Sequence, residues 1–393
     1  MNEKVSILFA GDTFPVSDNF DLFCDGKTEE LFGDRLCRMF ADADYSVCNL
    51  EGCFTDNGEP VEKVGPSVKA PVKAALGIKK LGFRAATLAN THTLDYGSKG
   101  HDEMRAALDN YGIEYFGTGD SKDSIKTHIT VTIKGITVTF YTVTELFAFN
   151  KPGKNTPGAN GYDEYAVCKE LAELKKNCDR LVVLYHGGAE MTCYSSGMIR
   201  KRFHRMADNG ADIILAQHTH AIAFEEYYNG AYLLYGQGNF CFNLSPRVSE
   251  YTATGILLEA VFGADGFEIK KHLVRRTKSG CEYAQAQDFA AFDERTRLHD
   301  RVAAGDESAE AELERRFSEY STGFWMPRLL KVFRGINSSD DRALENLPPA
   351  EITKHLLTKY TKQQLLAIQM LIDNDEFNEI ASRFISEAIK NKE

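Results

Sequence analysis

Two predicted buried strands, each followed by histidines, constrain this chain more than any other feature. The apolar runs Leu181–Tyr185 and Ile213–Ala216 lead directly into His186-Gly187-Gly188-Ala189-Glu190 and past Gln217 into His218-Thr219-His220. A continuous apolar run rich in β-branched residues is typical of a strand buried on both faces, and the residues after it lie at the edge of the sheet. The sequence therefore predicts that these histidines share one site at a sheet edge.

Three further predicted strands end on a carboxylate or an amide in the same way. These strands and the polar residues that follow them are Val5–Ala10 with Asp12, Tyr45–Leu50 with Glu51, and Phe83–Ala89 with Asn90. The carboxyl ends of strands are where open α/β sheets collect functional groups. A single histidine at such a position is more often structural than a ligand, but five strand ends together are a stronger signal.

The combined set contains carboxylates, an amide and imidazoles, without a thiolate. This ligand mixture suits Mn, Fe(II) or Zn, and two such ions could share it. The residues predicted to bind divalent metal are Asp12, Glu51, Asn90, His186, His218 and His220.

The rest of the chain predicts alternating helices and strands, followed by a helical region. Helices are expected at Glu29–Ala43, Val72–Leu81, Ser98–Asn110, Asp163–Cys178 and Ser196–Asn209. Hairpins are expected at Thr127–Ile133 with Ile136–Val143 and at Ala221–Tyr227 with Ala231–Tyr235; strands are expected at Ala253–Val261 and Gly266–Val274. The β-branched runs then give way to helical patterning, as in Phe377–Ala388 and the capping-box spacing of Thr361 and Gln364. We predict an α/β (α+β) domain at 1–280 and a helical region at 281–393.

Charge and cysteine content exclude several classes of function. The net charge of −11 argues against general binding to nucleic acid or anionic membrane. No stretch approaches the ~18 apolar residues of a membrane span, so a cytoplasmic location is expected. The nine cysteines are an odd number without close pairs, which predicts reduced thiols rather than a disulfide framework. Lys63, Lys69 and the basic helix at 196–209 are interpreted as solvated charges in preference to anion ligands.

Six ordered motifs between about residues 4 and 245 resemble those of the CapA family of capsule and poly-γ-glutamate synthesis proteins. That family belongs to the calcineurin-like metallophosphatase superfamily. The motifs are Gly11-Asp12, Asn49-Leu50-Glu51, Ala89-Asn90-Thr91-His92-Thr93-Leu94-Asp95-Tyr96-Gly97, His186-Gly187-Gly188-Ala189-Glu190, His218-Thr219-His220 and Gly238-Asn239-Phe240.

The resemblance implies a fold and a role for each motif residue. The expected fold is a four-layer αββα sandwich with a metal site at one edge. The resemblance does not cover the C-terminal helical extension, which the helical patterning predicts. Asp12 and His220 would bind one metal, Glu51 would bridge, and His186 and His218 would bind the other. His92 would protonate the leaving group, with Asp95 orienting it. Thr91, Glu190 and Asn239 would lie around the metal ligands or face the substrate.

Two functions of different classes remain open at this level. The first is a metal-dependent hydrolase or transferase of capsular polymer synthesis, with metal-bound hydroxide as nucleophile and a phosphoester, anionic polymer or peptide-like substrate. The second is a non-catalytic assembly or ligand-binding component that acts with other capsule-synthesis proteins. Thr91, which stands where the family usually carries a second asparagine, favours the second function.

Overall fold

The computed structural model describes residues 4–61, 63, 66–147, 149–242, 252–284, 289–317, 319, 348 and 351. The chain divides into two compact units, Met1–Leu313 and Glu314–Glu393. The Thr361–Gln364 capping box and the amphipathic helix Phe377–Ala388 lie outside the described residues. In the described part of the chain, no helix has both the length and the apolar character needed to cross a membrane.

The first unit contains the strands and helices on which the site is built. The helices are α1 Phe20–Asp25, α2 Thr28–Asp42, α3 Ala75–Leu81, α4 Gly97–Tyr111, α5 Glu164–Lys175, α6 Gly197–Asp208 and α7 Ala290–Ala303. The first nine strands are β1 Val5–Phe14, β2 Tyr45–Leu50, β3 Cys53–Phe54, β4 Lys69–Ala70, β5 Ala85–Thr87, β6 Glu114–Phe116, β7 Thr118–Gly119, β8 His128–Ile133 and β9 Ile136–Thr144. The others are β10 Gly158–Ala159, β11 Arg180–His186, β12 Ile213–Gln217, β13 Glu225–Tyr228, β14 Ala231–Leu234, β15 Asn239–Phe242, β16 Thr254–Gly263, β17 Gly266–Arg276 and β18 Cys281–Tyr283.

Two large mixed sheets form the centre of this unit. The first has the strand order β18-β17-β16-β1-β2-β5-β6, with β15 also paired to β1. The second has the order β13-β14-β12-β11-β9-β8. Strands β1, β2 and β5 run parallel in the first sheet, and β9, β11, β12 and β14 run parallel in the second. Each sheet therefore sends several carboxyl ends to one edge.

The side chains of β1 show how the sequence builds separate cores on the two faces of its sheet. Ile7 and Phe9 point between the two sheets, where Leu184 of β11 meets them. Leu8 and Ala10 point the other way, into a core shared with α2, α3 and α4. Because successive residues of a strand face opposite sides, a run that is apolar throughout can be buried on both.

The outer face of the second sheet is covered by α5 and α6. Leu181 and Val183 of β11 pack there with Val167 of α5 and Phe203 of α6. The order is therefore helix, sheet, sheet, helix, and the four-layer prediction is confirmed. The nine cysteines are free thiols, as expected.

Both predicted hairpin turns have the backbone conformation that their sequences favour. Lys134 and Gly135 have φ of 48° and 82°, and Asn229 and Gly230 have φ of 48° and 84°. Positive φ at both central residues is the type I′ geometry that matches the twist of antiparallel strands.

Some elements differ from the sequence prediction. The predicted strand Phe83–Ala89 is shorter in the structure, where β5 spans only Ala85–Thr87. After β5 the chain turns away into the loop that carries His92. The predicted strand at Ala221 begins only at Glu225, since residues before it form a single bridge between Ile222 and Gln237 rather than a ladder. The sequence reasoning also missed α1 and the pairing of β15 with β1.

The first unit extends beyond the predicted limit at residue 280. Strand β18 pairs with β17, and Phe292 of α7 is buried in the core between the sheets. The change in composition near Gln285 therefore does not coincide with the end of the packed unit, which runs to Leu313.

The basic helix α6 is less solvated than predicted. The side chains of Arg200 and Arg202 are 23% and 21% exposed and form ion pairs with Glu226 and Glu145. Glu226 also lies 3.1 Å from the His204 ring nitrogen and accepts a 2.9 Å hydrogen bond from the Tyr235 hydroxyl. Burial of Glu226 opposes ionisation, but these contacts lower its pKa to about 2.

We expect Glu226→Gln to lower the free energy of unfolding at pH 7 by about 1–3 kcal/mol, since it removes a buried charge from its partners. A glutamate whose pKa is lowered by folding stabilises the protein above its unfolded pKa near 4.5 and ceases to do so as pH falls toward 2. Denaturant unfolding of both proteins between pH 7 and 3 measures the difference, with the exposed Glu268→Gln as control. If Glu226→Gln lowered the free energy of unfolding by the same amount at pH 7 and at pH 3, the lowered pKa assigned to Glu226 would be contradicted.

Candidate metal centre

The predicted metal ligands of the two sheets lie at the carboxyl ends of parallel strands. Asp12 is in the last part of β1 and Glu51 directly follows β2. In the other sheet, His186 ends β11 and His218 directly follows β12. All four residues are at most 4% exposed. The sheet packing thus brings two carboxylates and two imidazoles to one buried edge.

These residues form two adjacent groups of potential ligand atoms. Glu51, His186 and His218 make one group, and Asp12, Glu51 and His220 make the other. Within each group, one donor atom per residue lies within 4.8 Å of the others. Glu51 belongs to both groups, which is the arrangement of a bridging carboxylate.

The segment after β12, which carries His218 and His220, bends sharply beside Asp12. His218 and His220 have φ of 82° and 53°, a left-handed conformation that costs non-glycine residues free energy. The backbone N–H of His218 donates to Asp12 Oδ2 at 3.2 Å, and His220 Nδ1 lies 3.1 Å from the same oxygen. The carboxylate of Asp12 therefore stabilises the bend and is also a potential ligand atom.

Asn49 connects the two ligand groups, although the sequence reasoning did not include it among the site residues. Its Nδ2 donates to Asp12 Oδ1 at 2.7 Å and lies 3.1 Å from His186 Nδ1. Its Oδ1 accepts from Asn90 at 3.1 Å. The sequence did carry a signal, because Asn49 and Glu51 are two residues apart at the end of one strand.

Asn90 and Thr91 begin the loop that carries His92. Asn90 Nδ2 also donates to the carbonyl of Leu50 at 2.9 Å, and Asn90 Oδ1 accepts from the backbone N–H of His92 at 3.0 Å. Thr91 Oγ1 lies 3.5 Å from His186 Nε2. The amide of Asn90 thus braces this loop against β2, and Thr91 reaches the metal-ligand set.

Several buried polar atoms of the centre lack a hydrogen bond, which tests whether the residues fit a metal ion. Among the described residues, both carboxylate oxygens of Glu51 and the Nδ1 of His218 are buried without a hydrogen bond. Glu51 Oε1 does lie in close contact with His186 Nε2, at 3.3 Å. A buried carboxylate without hydrogen bonds is costly, and a divalent cation in either ligand group would compensate it. The residues present therefore fit a divalent ion.

The site strongly shifts the pKa values of its groups. Burial, helped by the charge of Asp12, raises the pKa of Glu51 to about 8. Burial lowers the pKa values of His186 and His218 to about 4 each. Burial disfavours the charged form of His220, but the interactions of its ring with Glu51 and Asp12 outweigh burial and raise its pKa to about 10. Asp12 is buried too, but its contact with His220 holds its pKa below the usual range.

These pKa values predict that metal affinity rises with pH. A bound ion needs Glu51 as a carboxylate and His220 as a neutral imidazole, so binding must displace protons that the folded protein holds below about pH 8 and pH 10. We expect the Mn dissociation constant to fall steadily between pH 6 and 8.5, and less steeply in Glu51→Gln. Calorimetry in buffers of different ionisation enthalpy would count the released protons. An affinity independent of pH would contradict the prediction.

His92 lies against the carboxylate of Asp95. Its Nδ1 lies 2.6 Å from Asp95 Oδ2, which also accepts from the backbone N–H of Val68 at 2.7 Å. Asp95 is fully buried, and its other oxygen accepts from Lys63. These contacts place a proton on His92 Nδ1, which leaves Nε2 as the nitrogen that can exchange a proton with a substrate.

Lys63 is a correction to the sequence prediction of a solvated charge. Its side chain is only 3% exposed, forms an ion pair with Asp95 and lies 3.4 Å from His92 Nδ1. The ammonium group is also 4.7 Å from the centre of the Phe149 ring. No sequence signal indicated this contact, because it depends on how the loop after β3 folds over the site.

Glu190 and Asn239 lie beside the metal ligands. Glu190 Oε1 is 3.8 Å from His218 Nε2. Glu190 lies on the loop after β11, in which Gly188 has a positive φ of 97°. Asn239 Oδ1 lies 2.9 Å from His220 Nδ1. Both residues line a cleft of about 160 Å³ that also contains His92 and His220. The candidate proton donor and a potential metal ligand thus line one small cleft.

The four layers and the two groups of potential ligand atoms at one sheet edge define an α/β protein with a buried candidate metal site. The sequence model described as bacterial capsule synthesis protein PGA_cap matches residues 6–244. The chain belongs to this family, and the predicted resemblance is confirmed.

Relatives cover part of the chain. It is 31% identical over 253 residues to the PGA biosynthesis protein CapA of Bacillus subtilis (strain 168), covering 62% of this chain and 64% of that protein. It is 25% identical over 250 residues to the capsule biosynthesis protein CapA of Bacillus anthracis, covering 62% and 61%. The chain therefore spans less than two thirds of either relative. The NAD nucleotidase NadN of Haemophilus influenzae has a TM-score of 0.43 and 13% identity, covering 80% of this chain and 60% of that one.

Proposed function

We propose that this chain is a metal-dependent hydrolase or transferase in the synthesis of capsular polymer, such as poly-γ-glutamate. The observation that carries the proposal is the pair of ligand groups that share Glu51, next to a cleft lined by His92. The substrate would be a phosphoester or an amide of an anionic polymer. Two divalent ions of Mn, Fe or Zn, when bound, would activate water and polarise the substrate.

The residues of the chain would contribute orientation and proton transfer. Asp12, Glu51, His186, His218 and His220 would hold the ions. Protonated His92 would break its Nε2–H bond as the leaving-group oxygen or nitrogen gains that proton. Asp95 would keep the ring in place through Nδ1.

The second candidate function is a non-catalytic component of a capsule-synthesis complex. Thr91 at the usual position of an asparagine favours it, because a threonine hydroxyl is a weaker ligand than an amide oxygen. In this case the site would bind a ligand or stabilise the fold, and other capsule-synthesis proteins would be its partners. Its location would be cytoplasmic under either function.

The proposal is tested by hydrolysis of p-nitrophenyl phosphate, bis(p-nitrophenyl) phosphate and γ-glutamyl-p-nitroanilide. Each is assayed with added Mn and after chelation. Metal-dependent hydrolysis of any of the three substrates supports the hydrolase or transferase function. Absence of activity on all three, together with absence of bound metal, would favour the second function.

A further inference from the structure

An arginine, Arg276, is among the residues that line the cleft beside the candidate metal centre. The same cleft is lined by His92, His220 and Asn239, and also by Thr252. Arg276 belongs to none of the motifs by which the site was recognised, which end near residue 245. The end of β17 thus adds an arginine to the lining of the cleft that His92 also lines.

The sheet fixes the position of Arg276. It is the last residue of β17, where it pairs with Cys281 of β18 and donates its backbone N–H to Ala253 at 2.8 Å. Its neighbour Arg275 pairs with Thr254 and lines a different cavity. Because successive strand residues face opposite sides, only Arg276 is directed into the cleft.

The surroundings of Arg276 suit the binding of an anion. The side chain is half-buried, and burial lowers its pKa against the opposing effects of Cys241 and Asp18, although arginine stays charged at neutral pH. The cleft is otherwise lined partly by apolar side chains, including Phe242, whose ring stacks on His220 at 5.4 Å. A guanidinium group binds carboxylate or phosphate with two parallel hydrogen bonds, and such bonds strengthen where water is excluded.

We propose that Arg276 binds a second negatively charged group of the substrate while the reacting group lies at the metal ligands. The substrate is then a compound with two anionic or polar acceptor groups a few bonds apart: the reacting phosphoester or amide, and a neighbouring carboxylate or phosphate. This inference rests on the proposed function, since it requires that the reacting group occupies the metal centre.

The test compares three probes on the Mn-loaded full chain by calorimetry. Methylphosphonate carries one anionic group, and phosphonopropionate and ethylenediphosphonate carry a carboxylate or a second phosphonate as well. We expect the second group to tighten binding to the wild type by about ten- to hundredfold, the effect of a hydrogen bond between charged groups. Arg276→Gln should lose this gain without losing methylphosphonate binding, and Arg276→Lys should keep part of it. The two doubly charged probes show whether carboxylate or phosphate is preferred.

Arg275→Gln is the matched control, because it removes the same charge from the adjacent position of the same strand. It should bind all three probes as the wild type does. The inference would be overturned if the second anionic group tightened binding equally in the wild type and in Arg276→Gln. It would also be overturned if Arg275→Gln and Arg276→Gln reduced this tightening equally. Neither result would contradict the metal centre. Failure of methylphosphonate to bind, with Mn retained, would overturn it as well. Failure to bind Mn would overturn the proposed function.

Discussion

Asp12→Ala is expected to abolish metal-dependent activity, with a loss of about a thousandfold or more in kcat/KM. The substitution removes a ligand atom, the acceptor for Asn49 and the partner of His220 at once. Loss of a metal ion forfeits several kcal/mol of transition-state stabilisation, and each 1.36 kcal/mol is a factor of about ten in rate. The measurement is activity against Mn concentration for the variant and the wild type.

The control for Asp12→Ala is Asp34→Ala, which removes an exposed carboxylate from α2. It should leave the Mn dependence unchanged. Thermal unfolding with and without Mn separates a damaged site from a damaged fold: Mn should raise the Tm of the wild type and of Asp34→Ala, but not that of Asp12→Ala. If Mn stabilises Asp12→Ala as much as the wild type, Asp12 is not a ligand.

His92→Gln is expected to lower kcat by about a hundred- to ten-thousandfold, the usual contribution of a general acid. Metal content should stay at the wild-type level, because His92 belongs to neither ligand group. Asp95→Asn should lower kcat less, by about ten- to hundredfold, since this substitution disturbs the orientation of His92 but leaves the histidine in place. Elemental analysis beside the kinetics distinguishes proton transfer from metal loss.

His128→Gln serves as the histidine control, because that side chain is 37% exposed on β8, outside the site. It should retain full activity. The assignment also predicts that substrates with better leaving groups are less affected by His92→Gln, because they need less protonation. A uniform loss across leaving groups, or a loss of metal, would contradict the role of His92 as the acid.

The fold could be predicted largely because strands buried on both faces leave a strong signal. Each of β1, β11 and β12 contains a long apolar run, and the structure buries these runs between layers of sheet and helix. Short elements were missed for a physical reason. β15 has four residues, and its pairing with β1 depends on tertiary packing rather than on its own pattern.

Most candidate site residues at strand ends could be predicted from the sequence, whereas few of those in loops could. Asp12, Glu51, His186 and His218 each sit where an apolar run stops, and the structure brings them together with His220. Lys63 lies in a Gly- and Pro-containing loop with no periodic pattern, so its burial against Asp95 could not be read from the sequence. Arg276 ends a strand far along the chain, and only the register of β16, β17 and β18 brings it to the cleft.

The metal content of the purified protein, measured by elemental mass spectrometry, tests the central claim most directly. The two ligand groups that share Glu51 predict about two transition-metal ions per chain. The same measurement on Asp12→Ala and His218→Ala should show fewer. A wild-type protein that holds no metal, even after incubation with Mn or Zn, would contradict the account and favour the non-catalytic function.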